Sequence, residues 1–254
     1  MKRLELIFNK RFGRKSIKGM IPDCYAELTS WQFLASVRLS KGWIDDRTFF
    51  MQFFGLTDKL IDGLAPFCLY RLSEELPFLK EEHPYHSAFF LPELEGGFFS
   101  PEAKLRGVSF QQFMTADTFY SWYMVTDKEL YLDRFIAALY LREKESYFPA
   151  SGEIALDLET NTRAIGRLPF DVRYSVMVNW VLIKSWLSRS YSHLFPAGDT
   201  AEHSGKTKAK PADWLSVFDA FVGDNIADIE AYKALPCMDA FRILNRKIKE
   251  AKKK

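Results

Sequence analysis

Apolar residues recur at intervals of three and four through the middle of this chain, the spacing that places side chains on one side of an α-helix. The series Leu132, Phe135, Ile136, Leu139 and Tyr140 is one such stripe, with Lys128, Glu129 and Arg142 left to face water. Immediately before it, Phe110, Phe113, Phe119, Tyr120, Trp122 and Tyr123 form an aromatic series wider than a single helix face. Ser109-x-x-Gln112 and Thr126-x-x-Glu129 both have the form of a capping box, in which a hydroxyl and an N3 side chain satisfy orphan N–H groups. These signals predict helices over 110–124 and 127–142, joined as an antiparallel hairpin.

The same reading extends outward. Leu4 to Phe8 is a short strand candidate, and the basic stretch Asn9 to Lys18 with Gly13 and Gly19 reads as a turn-rich excursion. Thr29-x-x-Gln32 caps a helix from Trp31 to Leu39, and a second runs from Asp46 to Phe54 and stops at Gly55. A third starts near Thr57 or Asp58 and runs towards Leu76, where Pro66 is expected to kink or split it. Residues 77–108 contain Pro77, Pro84, Pro92, Pro101 and Gly96-Gly97, too many breakers for long elements. Beyond Pro149, Ile154 to Leu158 alternates like a strand, and Pro169 opens a long helix to about His193, ended by Pro196. Residues 197–211 are small, polar and charged, the composition of an exposed loop. Helices resume near Trp214 to Phe221, Asp228 to Leu235 and from Met238, the last carrying Phe241, Leu244 and Ile248 on one face.

The expectation is a mainly α, multi-helix globular protein with an aromatic hairpin and a few short strands. Its organisation reads as an N-terminal helical unit at 1–76, a connector at 77–108 and a central core at 109–196. A loop at 197–211 and C-terminal helices at 212–254 complete it. An apolar share of 48% over 254 residues fills a sizeable core. The net charge of +2 gives no global pull towards nucleic acid or membrane, so such binding must come from local patches. Cys24, Cys68 and Cys237 are odd in number and scattered, which fits reduced thiols and a cytoplasmic setting. The N-terminus lacks the apolar run of a secretory leader, and Val172 to Leu187 is broken by Arg173, Asn179 and Lys184, as in a buried helix.

Reactive chemistry is sparse. Asp157-Leu-Glu159-Thr160 after a hydrophobic run is similar to the first motif of the DnaQ-like DEDD exonucleases. On a strand both carboxylates would share one face, as a two-metal phosphodiester site requires. The His-x-x-x-Asp or Tyr-x-x-x-Asp motif that the family needs later does not follow, and Asp171, Asp219 and Asp224 fit those roles only by force. His83-Pro-Tyr-His86 behind Glu81 and Glu82 brings metal-capable groups close, but proline disfavours the helix that would align them. The basic runs Lys10, Arg11, Arg14, Lys15 and Lys249 to Lys254 could contact phosphate or an acidic partner, but a solvated loop and a frayed helix end explain them more simply. Gly205-Lys-Thr207 lacks the upstream glycine of a phosphate loop. No cofactor is called for.

The hairpin, with Asp133-Arg-Phe-Ile-Ala-Ala-Leu-Tyr140, and the ending Asp213-Trp-Leu-Ser-Val-Phe through Arg242-Ile-Leu-Asn-Arg-Lys-Ile-Lys249 resemble uncharacterised proteins from prophages and mobile elements of Bacteroidetes. The resemblance covers about a third of the chain and implies a phage tail-assembly or virion setting, where proteins work by binding partners or other copies of themselves. The expected function is therefore non-enzymatic protein binding within an assembly, with Phe110, Phe113, Phe119, Tyr120, Trp122 and Tyr123 as the candidate interface. Charges such as Lys128, Asp133 and Arg142 would set orientation at its rim. A metal-dependent exonuclease using Asp157 and Glu159, and a nucleic-acid-binding accessory protein using Lys10, Arg11, Arg14 and Lys15, stand as alternatives.

Overall fold

The alternation in Leu4 to Phe8 belongs to a longer strand, β1 (Lys2–Lys10), which pairs antiparallel with β2 (Gly13–Ile21). The expected turn-rich excursion at Asn9 to Lys18 is thus mostly second strand, because a lone strand leaves its backbone donors unpaired and the next segment supplies them. The computed structural model describes residues 1–10, 13–64, 66–81, 84–142, 158–196, 213–223 and 225–253. Two compact units divide them, Met1–His86 and Ser87–Lys254.

In the first unit, α1 (Ser30–Ser40) begins at the expected box: the Gln32 N–H donates to Thr29 Oγ1 at 3.4 Å and the Thr29 N–H donates to Gln32 Oε1 at 3.0 Å. Next comes α2 (Asp46–Phe54), capped by the Asp45 side chain, which accepts from Thr48 N at 2.8 Å. It stops at Gly55, whose φ of 65° lies in the left-handed region that glycine enters freely. The expected third helix is split into α3 (Asp58–Asp62) and α4 (Pro66–Glu74), with Pro66 opening the second piece, where its missing N–H costs nothing. Phe33, Val37, Phe49, Phe53, Leu72 and Phe78 are buried in this unit. It is mixed in structure, opening with a strand pair before its helices.

The second unit is built on the hairpin. Helix α5 (Phe110–Thr126) and α6 (Glu129–Leu139) pack across a turn of Asp127 and Lys128. The Thr126 capping box does not form. Helix α5 runs on through Thr126, whose hydroxyl donates to the Trp122 carbonyl at 2.7 Å, and Asp127 ends it in the left-handed region at φ 53°. Helices α7 (Leu158–Ile165) and α8 (Phe170–Ser190) follow, then α9 (Trp214–Val222), α10 (Ile229–Ala234) and α11 (Cys237–Ala251). Of the strand expected at Ile154 to Leu158, only Leu158 is described, and it is helical.

The proline- and glycine-rich stretch is no simple connector. Residues up to His86 belong to the first unit, and from Ser87 the chain wraps the second, burying Phe89, Phe90, Leu91, Leu94, Phe98, Leu105 and Val108. Two strands of two residues, β3 (Glu93–Leu94) and β4 (Phe98–Phe99), turn through Gly96 and Gly97. Side chains stitch this wrap down: Asn179 of α8 donates to the Ala88 carbonyl at 3.0 Å and accepts from the Phe90 N–H at 2.7 Å. Tyr140 donates to the Leu91 carbonyl at 2.8 Å. The chain is mainly α, and among the described residues no helix is long and apolar enough to cross a membrane.

Candidate functional site

The six aromatics of the expected interface do not share one fate. Phe110 and Phe113 are fully buried, and Tyr120 and Tyr123 nearly so. Phe113 lies at the centre of an aromatic core, with ring centroids 4.6 Å from Phe241, 5.1 Å from Trp214 and 5.6 Å from Trp180. Phe110 packs edge-on against Phe221 of α9 at 5.8 Å. Helices α8, α9 and α11 therefore cover the side of α5 that the sequence offered to a partner, and these four residues are core. Burial also pushes the Tyr123 hydroxyl up to about 12, with the nearby Asp127 charge adding to the shift.

What remains at the surface is narrower. Trp122 is 40% exposed and stacks on Tyr131 of α6, rings 5.9 Å apart at 25°. Val125, one turn further along α5, is 43% exposed, and Phe119, one turn back, is half-buried beneath the Arg134 guanidinium at 5.8 Å. Phe119, Trp122 and Val125 are spaced by three, so they form one stripe on the helix. Leu130, at the start of α6, is 49% exposed.

Of the expected rim charges, Lys128 is exposed and Arg142 lies over the Phe98 ring at 5.0 Å. Asp133 is a correction: it is buried. Arg173 Nη1 donates to its Oδ1 at 2.6 Å, while Arg173 also donates to Glu129 at 2.8 Å and to the Leu168 carbonyl at 3.1 Å. Burial pushes the Asp133 carboxyl above the usual carboxylate range, an effect that the Arg173 pair only partly offsets. A Cβ at Gly166 would come within 2.9 Å of Asp133 Oδ2, so the turn between α7 and α8 approaches this pair as only glycine can.

A second buried polar group went unforeseen. Asp117, on the core side of α5, accepts from Trp180 Nε1 at 3.1 Å, Trp214 Nε1 at 2.8 Å and Lys184 Nζ at 3.0 Å. Lys184 also lies over the Tyr120 ring at 5.0 Å. One carboxylate thus ties α5 to both α8 and α9. A signal for it was present: Asp117 falls in the apolar series Phe110, Phe113, Asp117, Tyr120, as Arg173 does in the series leading to Val176 and Trp180. A charge on a core stripe needs a buried partner.

The remaining leads are dispersed. Glu159 lies in the first turn of α7, exposed, with Arg163 at 3.4 Å and Arg134 at 3.9 Å. Asp157, Asp224, Glu82, His83 and Gly205 to Thr207 lie outside the described residues. Burial holds the half-buried His86 below the usual histidine range. Among the described residues no three His, Cys, Asp or Glu side chains converge on a position that could hold a metal. Lys10, Arg14 and Lys15 fall on β1 and β2, and Arg11 lies outside the described residues. Comparison with protein-family models, curated proteins and solved structures finds no match to this chain.

Proposed function

We propose that this chain is a non-enzymatic, protein-binding component of a larger assembly, and that it docks through the outer stripe of α5 centred on Trp122. The supporting observation is the exposed Trp122–Tyr131 stack flanked by Val125 and Phe119, on a helix whose opposite side is anchored in the core. Tryptophan and tyrosine on rigid elements make strong contact anchors, because they bring a large area at little entropic cost. Lys128 at the hairpin turn supplies a charge beside the stripe that can orient a partner. A phage tail-assembly or virion setting, with a protein partner or a second copy of the chain, belongs to the same proposal and rests on the resemblance of the hairpin and C-terminal helices.

The test pairs sedimentation over a wide concentration range with affinity capture from the native host, using the unmodified protein and Trp122→Ala. The variant is expected to keep its melting temperature within a few degrees and to weaken self-association or partner capture about 30-fold, the ~2 kcal/mol of an anchor residue. A protein that stays monomeric and captures nothing, or a variant that binds as well as the original, overturns the proposal.

A further inference from the structure

The last helix has two unlike sides. Residues 237–254 hold seven lysines and arginines against two acids, Asp239 and Glu250, whereas the whole chain carries only +2, so the rest of it is net acidic. Cys237, Ala240, Phe241 and Leu244 of α11 are buried, and the Asn245 side chain accepts from the His193 and Leu194 N–H groups at 2.9 and 3.1 Å. The helix is thereby fixed to the core along its apolar side. At about 100° per residue, Arg242, Arg246, Lys249 and Lys253 fall within about 60° of one another, opposite that buried side. All four are exposed. The coil continues past Ala251, because the Lys252 N–H donates to the Ile248 carbonyl at 3.1 Å and the Lys253 N–H to the Glu250 carbonyl at 3.2 Å, which carries Lys253 along the same side.

Acids engage only the start of this row. Asp239 pairs with Arg242 at 3.1 Å, and Glu250 borders the row, but among the described residues no carboxylate forms an ion pair with Arg246, Lys249 or Lys253. Three cations therefore stand along about 10 Å of anchored helix, the rise of about three base pairs. The rest of the face narrows what it fits. Among the exposed residues of α11 the only apolar one is Ala251, so the face lacks both the large anchors of a protein interface and the aromatic platforms that grip single strands. Its apolar side is already in the core, so the helix cannot bury that side in a lipid surface as an interfacial helix does. We propose that this row, through Arg246, Lys249 and Lys253, binds the phosphate backbone of double-stranded nucleic acid. The contact is sequence-independent, driven by counterion release, and separate from the Trp122 stripe.

Fluorescence anisotropy with a labelled mixed-sequence DNA duplex tests this, alongside anionic phospholipid vesicles. With three phosphate contacts, affinity should fall about 40-fold between about 50 and 200 mM salt. Arg246→Gln with Lys249→Gln and Lys253→Gln should abolish binding while keeping the helical circular dichroism, since glutamine is a good helix former. Lys59→Gln with Arg71→Gln and Lys80→Gln removes the same charge from exposed positions of the first unit and should leave binding unchanged. Should the triple α11 variant fail to fold, the single changes are each expected to lower the salt slope by about one. The proposal is overturned by no duplex binding, by binding that salt does not weaken, by a folded triple α11 variant that binds as the unmodified protein does, by loss on changing the first unit instead, or by vesicles binding where duplex does not.

Discussion

Asp117 shows what a single residue can decide here. Its carboxylate, itself buried, gathers two indole N–H groups and one ammonium, so truncating it removes the acceptor of all three donors together. Asp117→Ala is expected to lower stability by about 3 kcal/mol, the cost of leaving a buried charge without its partner. Trp214→Phe removes one of the donors and some packing, and should cost about 1–2 kcal/mol. Denaturant titration monitored by tryptophan fluorescence checks both, and an Asp117→Ala midpoint close to that of the unmodified protein would rule out a stabilising role. The charge was visible in the sequence as an aspartate on an apolar stripe. Its partners were not, because Lys184 and Trp214 lie 67 and 97 positions away.

Three helix-start signals of the same kind had three outcomes. The Thr29 box closes in full, whereas Ser109 caps α5 through Gln112 N at 3.1 Å without the reciprocal bond. Gln112 instead turns inward and donates to the Ala138 and Leu139 carbonyls at 3.1 and 3.3 Å, with its Oε1 buried and unpartnered. The last carbonyls of α6 lack partners within their own helix, and they out-compete the cap for the amide. Glutamate is the preferred N3 residue of a capping box, so Gln112→Glu would be neutral if the side chain worked as a cap. Facing carbonyls in the core, it is expected to cost about 2–3 kcal/mol, more than the ~1 kcal/mol of Ser109→Ala. Thermal melts of the two variants decide the order.

Across the whole molecule, the division at His86 and Ser87 leaves each unit with buried aromatic and aliphatic side chains of its own. A fragment spanning Ser87–Lys254 is therefore expected to fold alone with one cooperative transition and near-native helical circular dichroism. A fragment that melts without cooperativity would show that the second unit depends on the first. Prolines and glycines interrupt every periodic pattern over residues 77–108, so sequence patterning alone ends the first unit at Leu76 and marks the next 32 residues as a connector. Breakers forbid long elements without preventing burial. Phe89, Phe90 and Leu91 are buried on irregular backbone, where Asn179 and Tyr140 meet the Ala88 carbonyl, the Phe90 N–H and the Leu91 carbonyl.

Local patterning along the chain is enough for the class, mainly α with an aromatic hairpin, and for most helix limits, since periodicity, caps and breakers act over a few neighbouring residues. Helix α2 was read to the residue, and α8 and α9 nearly so. Which aromatics reach the surface follows from long-range packing. Phe110, Phe113, Tyr120 and Tyr123 become core because α8, α9 and α11 close over them, while Trp122, also aromatic and in the same helix, keeps 40% of its surface in water. Pattern fixes which side of a helix is apolar. Which apolar residues are covered depends on elements brought together from distant parts of the chain, and that leaves one exposed stripe of the six candidate residues.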